Sequence, residues 1–124
     1  MEHSPRFLAL VDDAKRRVRE TSLEEVRARV ERGARFRLID TREDREWDAG
    51  RLPGALHLCK GVIERDIEKA CPDLDEELVL YCGGGFRSAL AADTLQTMGY
   101  TNVLSMAGGW RAWREAGLPT EKEE

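Results

Sequence analysis

Hydrophobic and polar residues follow one another along the chain with periods that predict helices and short strands in turn. Apolar residues at helical spacing predict six helices, over residues 5–20, 22–33, 43–50, 62–70, 88–98 and 108–117. Short apolar runs predict four strands, within residues 36–40, 51–58, 77–82 and 101–106. This alternation is typical of an α/β domain with a central, mostly parallel sheet and helices on both faces.

Residues that start or stop helices stand at the borders of several of these elements. Ser22 and Glu25 have the spacing of a capping box at the start of the second helix, and Gly33 is a stop signal. Gly50 closes the short third helix, and Pro72 ends the fourth. Two independent features, periodicity and capping, therefore support the same set of helices.

Length and charge limit the kind of protein that this chain can be. Its 124 residues are enough for one core and too few for two ordinary domains. The 20 Lys and Arg residues against 24 Asp and Glu give a net charge of −4, so no extended cationic surface is available to a phosphate backbone. No window reaches the apolar length that spans a bilayer. Neither nucleic acid nor a membrane is an expected partner.

The three cysteines, Cys59, Cys71 and Cys82, indicate a reducing compartment. They are too few for a disulfide framework, and none has a partner at zinc-ligand spacing. We therefore expect a cytoplasmic protein without a metal or another cofactor.

The segment CGGGFRS, residues 82–88, stands between the predicted strand 77–82 and the predicted helix 88–98. Three glycines allow the tight, positive-φ turn that this connection needs. Main-chain amides turned inward in such a loop form an anion site, which the amino end of the next helix reinforces. We expect these amides to surround the Cys82 sulfur and to favour its thiolate form.

Residues 82–88 could also have a purely structural role, without any function in catalysis. A cysteine at the end of an apolar strand is often a small buried side chain, and paired glycines are often only a turn. Arg87 and Ser88, which follow the glycines at the start of a helix, favour the anion site.

Several segments of the chain resemble the rhodanese-type sulfurtransferases. The first is CGGGFRS itself, with four residues between Cys82 and Arg87. Others follow in the order of that family, namely LIDTRE (38–43), EWDAGRLPGALHL (46–58), LVLYC (78–82) and MAGGWRAWREAGLP (106–119). The resemblance implies a rhodanese-like fold over residues 21–120. Residues 1–20 are then an N-terminal amphipathic helical extension packed on the domain, and residues 121–124 are an acidic tail.

The resemblance also implies the chemistry of a sulfurtransferase. Cys82 would take sulfane sulfur from thiosulfate or another persulfide donor, hold it as a persulfide, and pass it to cyanide or a thiol. The expected partner is a small sulfur donor, with a sulfur-relay protein as the alternative source. The loop residues that would bind the substrate and the persulfide are Gly83, Gly84, Gly85, Phe86, Arg87 and Ser88.

The roles of three charged residues stay open at this stage. Arg87 could neutralise an anionic donor or hold the loop in shape. Asp40 and Arg42 match the Asp-x-Arg pattern of the family, in which a salt bridge supports the neighbourhood of the active site. A solvated charged turn is the alternative for this pair.

Two other functions compete with sulfur transfer. Phosphatases and arsenate reductases of the same fold have five residues between the cysteine and the arginine, which gives a wider ring for a tetrahedral oxyanion. The four residues between Cys82 and Arg87 favour a single sulfur atom instead. A binding module with this fold would normally lack the cysteine.

The remaining candidate residues receive structural interpretations. Arg51 stands where the family commonly has His, so no role of that His is transferred. Trp110 and Trp113 are expected in the core, with a substrate platform as the alternative. Cys59 and Cys71 are expected to pack rather than to resolve a Cys82 persulfide.

Both histidines and the N-terminal helix also receive structural interpretations. We expect His57 within a strand and His3 in a mobile terminus. The N-terminal helix is expected to cover the sheet, with a docking face as the alternative. Arg87 is the only cation in the loop, which leaves the identity of the donor open.

Overall fold

The computed structural model describes residues 3–122, in which six helices and five strands alternate. The helices are α1 (Pro5–Lys15), α2 (Leu23–Glu31), α3 (Asp44–Ala49), α4 (Ile63–Ala70), α5 (Phe86–Thr97) and α6 (Gly109–Glu115). The strands are β1 (Arg19–Thr21), β2 (Arg37–Asp40), β3 (Leu56–His57), β4 (Leu78–Tyr81) and β5 (Val103–Met106). The predicted α/β class is confirmed.

The five strands form one sheet in the order β1-β5-β4-β2-β3, and every neighbouring pair is parallel. The sheet is thus wholly parallel where the sequence predicted a mostly parallel one. Strand β4 lies at its centre, and all four of its residues are buried. Because the carboxyl ends of parallel strands meet at one edge, Cys82 follows β4 at the middle of the edge where ligands bind.

Helices cover both faces of the sheet, as predicted. Leu78 and Leu80 of β4 pack into a core cluster with apolar residues of α4 and α5. Val79 and Tyr81 point to the other face and pack with residues of α2 and α6. The continuous apolar run of β4 follows from this burial on both faces.

The first helix ends earlier than its apolar periodicity predicts. Helix α1 ends at Lys15, and the last two residues of the predicted helix 5–20 belong to β1 (Arg19–Thr21), which pairs with β5 at the edge of the sheet. Val18 is buried in the turn between the two elements, so its position fits a helical period without being helical. The predicted extension therefore includes a strand of the sheet.

Helix α1 packs on α5 through its buried side. Val11 and Ala14 are each 1% exposed. Beyond the end of α1, the Arg17 guanidinium donates to both carboxylate oxygens of Asp93 on α5, at 2.9 and 2.8 Å. The extension is thus joined to the domain by apolar contacts and by an ion pair.

The loop after β4 is shorter than predicted because α5 begins at Phe86 rather than at Ser88. Gly85 is the residue before the helix and has a φ of +99°, a left-handed conformation that favours glycine. Four residues, 82–85, therefore connect the central strand to α5.

The C-terminal segment returns to the domain within the described residues. The main chains of Arg51 and Glu121 form two hydrogen bonds, at 2.8 and 2.9 Å. The predicted acidic tail, residues 121–124, thus begins as an ordered pairing, and residues 123–124 lie outside the described part. No helix within residues 3–122 has the length and apolar character needed to cross a membrane.

Candidate active site

The Cys82 sulfur lies at the turn of the short loop between β4 and α5. The residue is 1% exposed, and its Sγ accepts a hydrogen bond from the Gly85 amide at 3.1 Å. Within residues 3–122 this is the one main-chain amide that donates to the sulfur, whereas the sequence predicted several. The left-handed Gly85 aims that donor back at the strand end.

Helix α6 holds the outer side of the same loop. The amides of Trp110 and Arg111 donate to the carbonyls of Cys82 and Gly83, at 2.7 and 3.0 Å. Gly109 permits this close approach, because a Cβ at that position would overlap the Cys82 carbonyl. The amino end of α6 thus fixes the direction of two loop carbonyls.

Arg87 is held beside the loop by a residue that the sequence analysis did not single out, Glu46 of α3. The guanidinium donates to both carboxylate oxygens, at 2.8 and 3.1 Å. This pairing holds the pKa of Glu46 below its usual range and raises the pKa of Arg87. The Cys82 sulfur makes a smaller contribution to the raised pKa of Arg87. The only feature of the sequence that could have indicated a role for Glu46 is that it belongs to a segment, residues 46–58, that resembles the family.

Asp40 and Arg42 form a buried ion pair at the end of β2. Their side chains are 0% and 2% exposed, and the guanidinium donates to both carboxylate oxygens at 2.7 to 3.1 Å. The Tyr81 hydroxyl also donates to Asp40, at 2.7 Å. Burial and the Asp40 carboxylate raise the pKa of Tyr81. Since Tyr81 directly precedes Cys82, the pair supports the end of the central strand, and the solvated turn is excluded.

Two further groups surround the Arg42 side chain. The guanidinium donates to the Gly50 carbonyl at 2.6 Å and lies 4.8 Å from the centre of the Trp110 ring. The Arg42 carbonyl contacts His57 Nε2 at 2.7 Å. His57 thus supports the Asp40–Arg42 pair in addition to its place in β3.

Ser88 has a different surrounding from the one predicted for a substrate-binding residue. It lies in the first turn of α5, is fully buried, and shares a hydrogen bond of 2.8 Å with the Ser105 hydroxyl on β5. Its side chain therefore joins α5 to the sheet and does not face the cavity.

A cavity of about 590 Å³ opens over Cys82. Its loop side consists of Cys82, Gly83, Gly84, Phe86 and Arg87. Three more arginines line it, Arg45 of α3 and Arg111 and Arg114 of α6. Arg87 is the only cation of the loop, as the sequence shows, and the other three arginines come from helices beside it.

The N-terminal extension forms an aromatic wall of this cavity. The rings of His3 and Phe7 line it, and their centroids lie 4.9 and 6.2 Å from that of Phe86. His3 therefore packs against the site, where the sequence predicted a mobile terminus. The Lys15 ammonium lies 5.1 Å from the centre of the same Phe86 ring.

The two tryptophans divide between core and site. Trp113 is 2% exposed and packs in the core, as predicted. Trp110 packs against the same core and also lines the cavity, so its position combines the expected core contact with the alternative of a place at the site.

The other cysteines lie away from the cavity. Among the described residues that line it, Cys82 is the only cysteine. Cys71 is buried at the end of α4, where burial raises the pKa of its thiol. Cys59 is half-buried after β3. Neither forms a disulfide with Cys82, in agreement with a packing role.

Together these features describe an α/β protein with a buried cysteine at the end of the central strand, a glycine loop that follows it, and a cavity lined by four arginines. Residues 22–116 match the family model of the rhodanese-like domain, and the chain belongs to this family.

Single-domain sulfurtransferases are among its relatives. The putative sulfurtransferase YtwF of Bacillus subtilis is 33% identical over 102 residues, which cover 82% of this chain and 96% of that protein. The human thiosulfate:glutathione sulfurtransferase is 36% identical over 106 residues, covering 76% and 91%. The chain spans only half of the putative sulfur carrier protein YrkF of Bacillus subtilis and 29% of the probable adenylyltransferase/sulfurtransferase MoeZ of Mycobacterium tuberculosis.

Among the solved structures is a match that covers nearly all of both chains. The protein RPA3614 of Rhodopseudomonas palustris, of unknown function and described as a possible tyrosine phosphatase, has a TM-score of 0.87 and 32% identity. The match covers 98% of this chain and 99% of that one, so it includes the N-terminal extension.

Proposed function

We propose that this protein is a sulfurtransferase that moves sulfane sulfur from thiosulfate or another persulfide donor to cyanide or a thiol through a persulfide on Cys82. The observation that carries the proposal is the position of the Cys82 sulfur, which meets the cavity, accepts the Gly85 amide and lies next to Arg87.

The first half-reaction transfers the outer sulfur of the donor to the protein. The Cys82 thiolate attacks that sulfur, the S–S bond of thiosulfate breaks, and sulfite leaves with the bonding electron pair. The product is Cys82–S–S⁻. The Gly85 amide and the amino end of α5 favour negative charge on sulfur at this position. Arg87 offers a cation to the donor and to the leaving sulfite.

The second half-reaction returns the protein to its starting state. The outer sulfur of Cys82–S–S⁻ takes up a proton from water, which gives Cys82–S–SH. Cyanide or a thiolate attacks this sulfur, the S–S bond breaks, and its electron pair returns to the Cys82 sulfur. The proton stays on the organic persulfide or, with cyanide as acceptor, returns to water. The products are thiocyanate or an organic persulfide. No base is required among the residues that line the cavity, since the nucleophile in each step is already an anion.

The relatives support the class of reaction and leave the partners open. Sulfurtransferases and a putative sulfur carrier are similar to this chain, which favours a sulfur donor or a sulfur-relay protein as partner. A cytoplasmic location belongs to the same proposal and is supported by three free cysteines.

The test is thiocyanate formation from thiosulfate and cyanide, with Cys82→Ser as the inactive variant and Cys59→Ser as its control. We expect turnover in the wild type and in the control, and none in Cys82→Ser. Intact-mass spectrometry after thiosulfate treatment should show a gain of one sulfur that Cys82→Ser lacks. If no donor adds sulfur to Cys82, the proposal is wrong.

Phosphatase activity is the competing function, since one structural relative is described as a possible tyrosine phosphatase. The four residues between Cys82 and Arg87 favour a sulfur atom over a phosphoryl group. Hydrolysis of an aryl phosphate by the wild type, without sulfur transfer, would reverse this choice.

A further inference from the structure

Helix α3 forms part of the cavity over Cys82 and is itself not buried in the core. Arg45 and Glu46 of this helix line the cavity, and Glu46 pairs with Arg87. None of the six residues of α3 is buried. Apolar burial, which fixes most helices in a domain, therefore contributes little to the position of α3. Its position depends on a small number of polar and aromatic contacts.

The ring of His57 makes several of these contacts. Its Nε2 donates to the Arg42 carbonyl at 2.7 Å. The ring stacks on that of Trp47, with a distance of 4.9 Å between the centroids and an angle of 11° between the planes. Its Nδ1 lies 3.7 Å from the Oδ1 of Asp44, the first residue of α3. Because β3 pairs with β2 in the sheet, His57 is a fixed point against which α3 is held.

The contact with the Arg42 carbonyl determines which nitrogen carries the proton in the neutral ring. A carbonyl oxygen only accepts, so Nε2 is the donor and a neutral His57 has no proton on Nδ1. Nδ1 and the Asp44 carboxylate are then two acceptors that face each other. When Nδ1 takes up a proton from water, the same contact becomes an ion pair. Protonation thus changes the contact between β3 and α3 from an unfavourable to a favourable one.

The other charged groups around the ring leave Asp44 as its counter-charge. On β2, Asp40 is the register partner of His57 and is paired with Arg42, so these two charges offset each other. The guanidinium carbon of Arg51 lies 4.3 Å from the centre of the indole ring on which His57 stacks. Within residues 3–122, only Asp44 has a carboxylate oxygen within 4.0 Å of a nitrogen of this ring. A protonated imidazole is also attracted to the face of the indole.

The contact at His57 and the contact at the loop belong to the same short helix. Asp44 and Glu46 are two residues apart in α3, so a displacement of one also moves the other. The Glu46 carboxylate accepts from Arg87 at 2.8 and 3.1 Å. A movement of α3 away from His57 would disturb these two hydrogen bonds and with them the position of the guanidinium.

We propose that protonated His57 is a positioning residue, which holds α3 through Asp44 and Trp47. Through α3 it keeps Glu46 and Arg87 in place at the loop. Histidine changes its charge between about pH 5 and 8, so the proposal makes the site responsive to pH in this range. The inference rests on the proposed sulfurtransferase function and adds a means of regulation to the same site.

The experiment measures sulfur loading, the rate at which limiting thiosulfate adds one sulfur to Cys82, by intact-mass spectrometry. Loading is measured at a low pH of about 5.5 and a high pH of about 8, on either side of the usual titration of histidine. Each variant is compared with the wild type at the same pH, because the ionisation of Cys82 and of thiosulfate is common to both.

The variant is Asp44→Asn, and its matched control is Asp48→Asn. Both replacements remove one negative charge from an exposed residue of α3. Within the described residues, the Asp48 side chain forms no ion pair or hydrogen bond. The control therefore reports the effect of charge on α3 without the contact to His57.

We expect Asp44→Asn to load sulfur about threefold more slowly than the wild type at the low pH, within the range that an exposed ion pair gives. The effect is modest because the Asp44 side chain is 91% exposed and solvent screens the pair. At the high pH the variant should load at least as fast as the wild type. A merely structural role of Asp44 at the start of α3 would instead slow loading at both pH values.

The variant His57→Gln tests whether the pH dependence belongs to this ring. Glutamine does not titrate, and its amide can still donate to the Arg42 carbonyl. Loss of the stacked ring should slow loading by a similar factor at both pH values. Adding Asp44→Asn to His57→Gln should change the rate at neither pH, since the two residues act through one contact.

Hydrogen exchange of the peptide that contains α3 tests the same contact without any sulfur donor. After correction for the intrinsic pH dependence of exchange, Asp44→Asn should speed the exchange of α3 about threefold at the low pH. Exchange should equal that of the wild type at the high pH. Asp48→Asn should match the wild type at both pH values.

Three results would overturn the inference. These are an equal effect of Asp44→Asn on loading at both pH values, an equal effect of Asp48→Asn, or faster exchange of α3 without slower loading. If the wild type loads no sulfur at either pH, the sulfurtransferase proposal falls and the role of His57 in loading falls with it. The exchange of α3 then decides separately whether protonated His57 holds this helix.

Discussion

Replacing Glu46 by glutamine removes the charge that holds Arg87 beside Cys82. The carboxylate accepts two hydrogen bonds from the guanidinium, at 2.8 and 3.1 Å, and the side chains of Arg87 and Glu46 are 31% and 28% exposed. Glutamine keeps the length of the side chain and one acceptor oxygen, which can still accept from the Glu43 amide as Glu46 does. The variant therefore changes charge with little change in volume.

The size of the effect follows from the partial burial of the pair. Two unit charges about 4 Å apart attract by about 4 kcal/mol at an effective dielectric constant of about 20. Desolvation and the ordering of two long side chains offset most of this attraction, and exposed pairs retain only about 0.2 to 1 kcal/mol. For a half-buried pair with two hydrogen bonds we expect Glu46→Gln to lower the free energy of unfolding by about 1 to 2 kcal/mol.

This stability difference should depend on pH with a definite sign. Arg87 holds the pKa of Glu46 below the ordinary value of 4.5. A carboxyl whose pKa is lowered by folding stabilises the protein above its unfolded pKa, and this contribution is lost as the pH falls through the folded pKa. Urea unfolding should thus separate wild type and variant fully at pH 7, and progressively less below about pH 4.5.

The effect on catalysis is measured as the rate of sulfur loading from thiosulfate. Without its carboxylate partner Arg87 has more conformations, so we expect kcat for loading to fall about tenfold, within the range that loss of one electrostatic contact gives. KM for thiosulfate should not rise, because the variant also removes a negative charge from the cavity. If Glu46 had a purely structural role, its replacement would not lower kcat while leaving KM unchanged.

Glu43→Gln is the control for the charge of the cavity. Glu43 lines the same space and is the N-cap residue of α3, and within the described residues it forms no ion pair with Arg87. If Glu43→Gln slows loading as much as Glu46→Gln does, the general field and not the orientation of Arg87 is responsible. Unchanged stability and unchanged kcat in Glu46→Gln would refute the reasoning altogether.

Three further predictions concern the surroundings of the loop. Gly109→Ala should lower the free energy of unfolding, measured in urea, by about 3 kcal/mol, because the new Cβ would overlap the Cys82 carbonyl. Gly117 also has a positive φ but has open space around it, so Gly117→Ala should lower the free energy of unfolding by only about 1 to 2 kcal/mol. Asp40→Asn should cost about 3 to 5 kcal/mol in the same assay, since it leaves a buried guanidinium without its counter-charge. Phe7→Ala should slow the discharge of the loaded protein by thiophenol more than by 2-mercaptoethanol, as followed by intact-mass spectrometry.

The fold could be predicted because its signals are local. Every residue of LVLY (78–81) is apolar since β4 is buried on both faces, and Ser22 caps α2 by accepting from the Glu25 amide at 3.1 Å. The error at the end of α1 has the same origin. Val18 lies at helical spacing from Ala14, and periodicity alone does not distinguish a last helical turn from a buried turn before a strand.

Apart from Asp40 and Arg42, which the resemblance to the family indicated, the candidate site could be predicted only where it is contiguous in the chain. Residues 82–87 are adjacent in sequence, so their pattern is visible and indicates a thiol with an anion site. Glu46 is 41 residues from Arg87, and its pairing depends on how α3 lies beside the loop. The same holds for His3 and Phe7, whose contact with Phe86 depends on the packing of α1 on α5.

The residues that are contiguous in the chain and the residues that folding brings beside them have different proposed roles. In the proposed mechanism the loop stabilises charge on sulfur through the Gly85 amide and Arg87, and Arg87 is also paired with Glu46. Arginines on α3 and α6 then supply further positive charge over Cys82, where the molecule that donates or accepts the sulfur would lie. Helix α1 precedes the segment 22–116 that matches the family, so its aromatic wall is an addition to the shared domain. Chains with the same loop and different walls should therefore share the sulfur chemistry and differ in the donor or acceptor that they select.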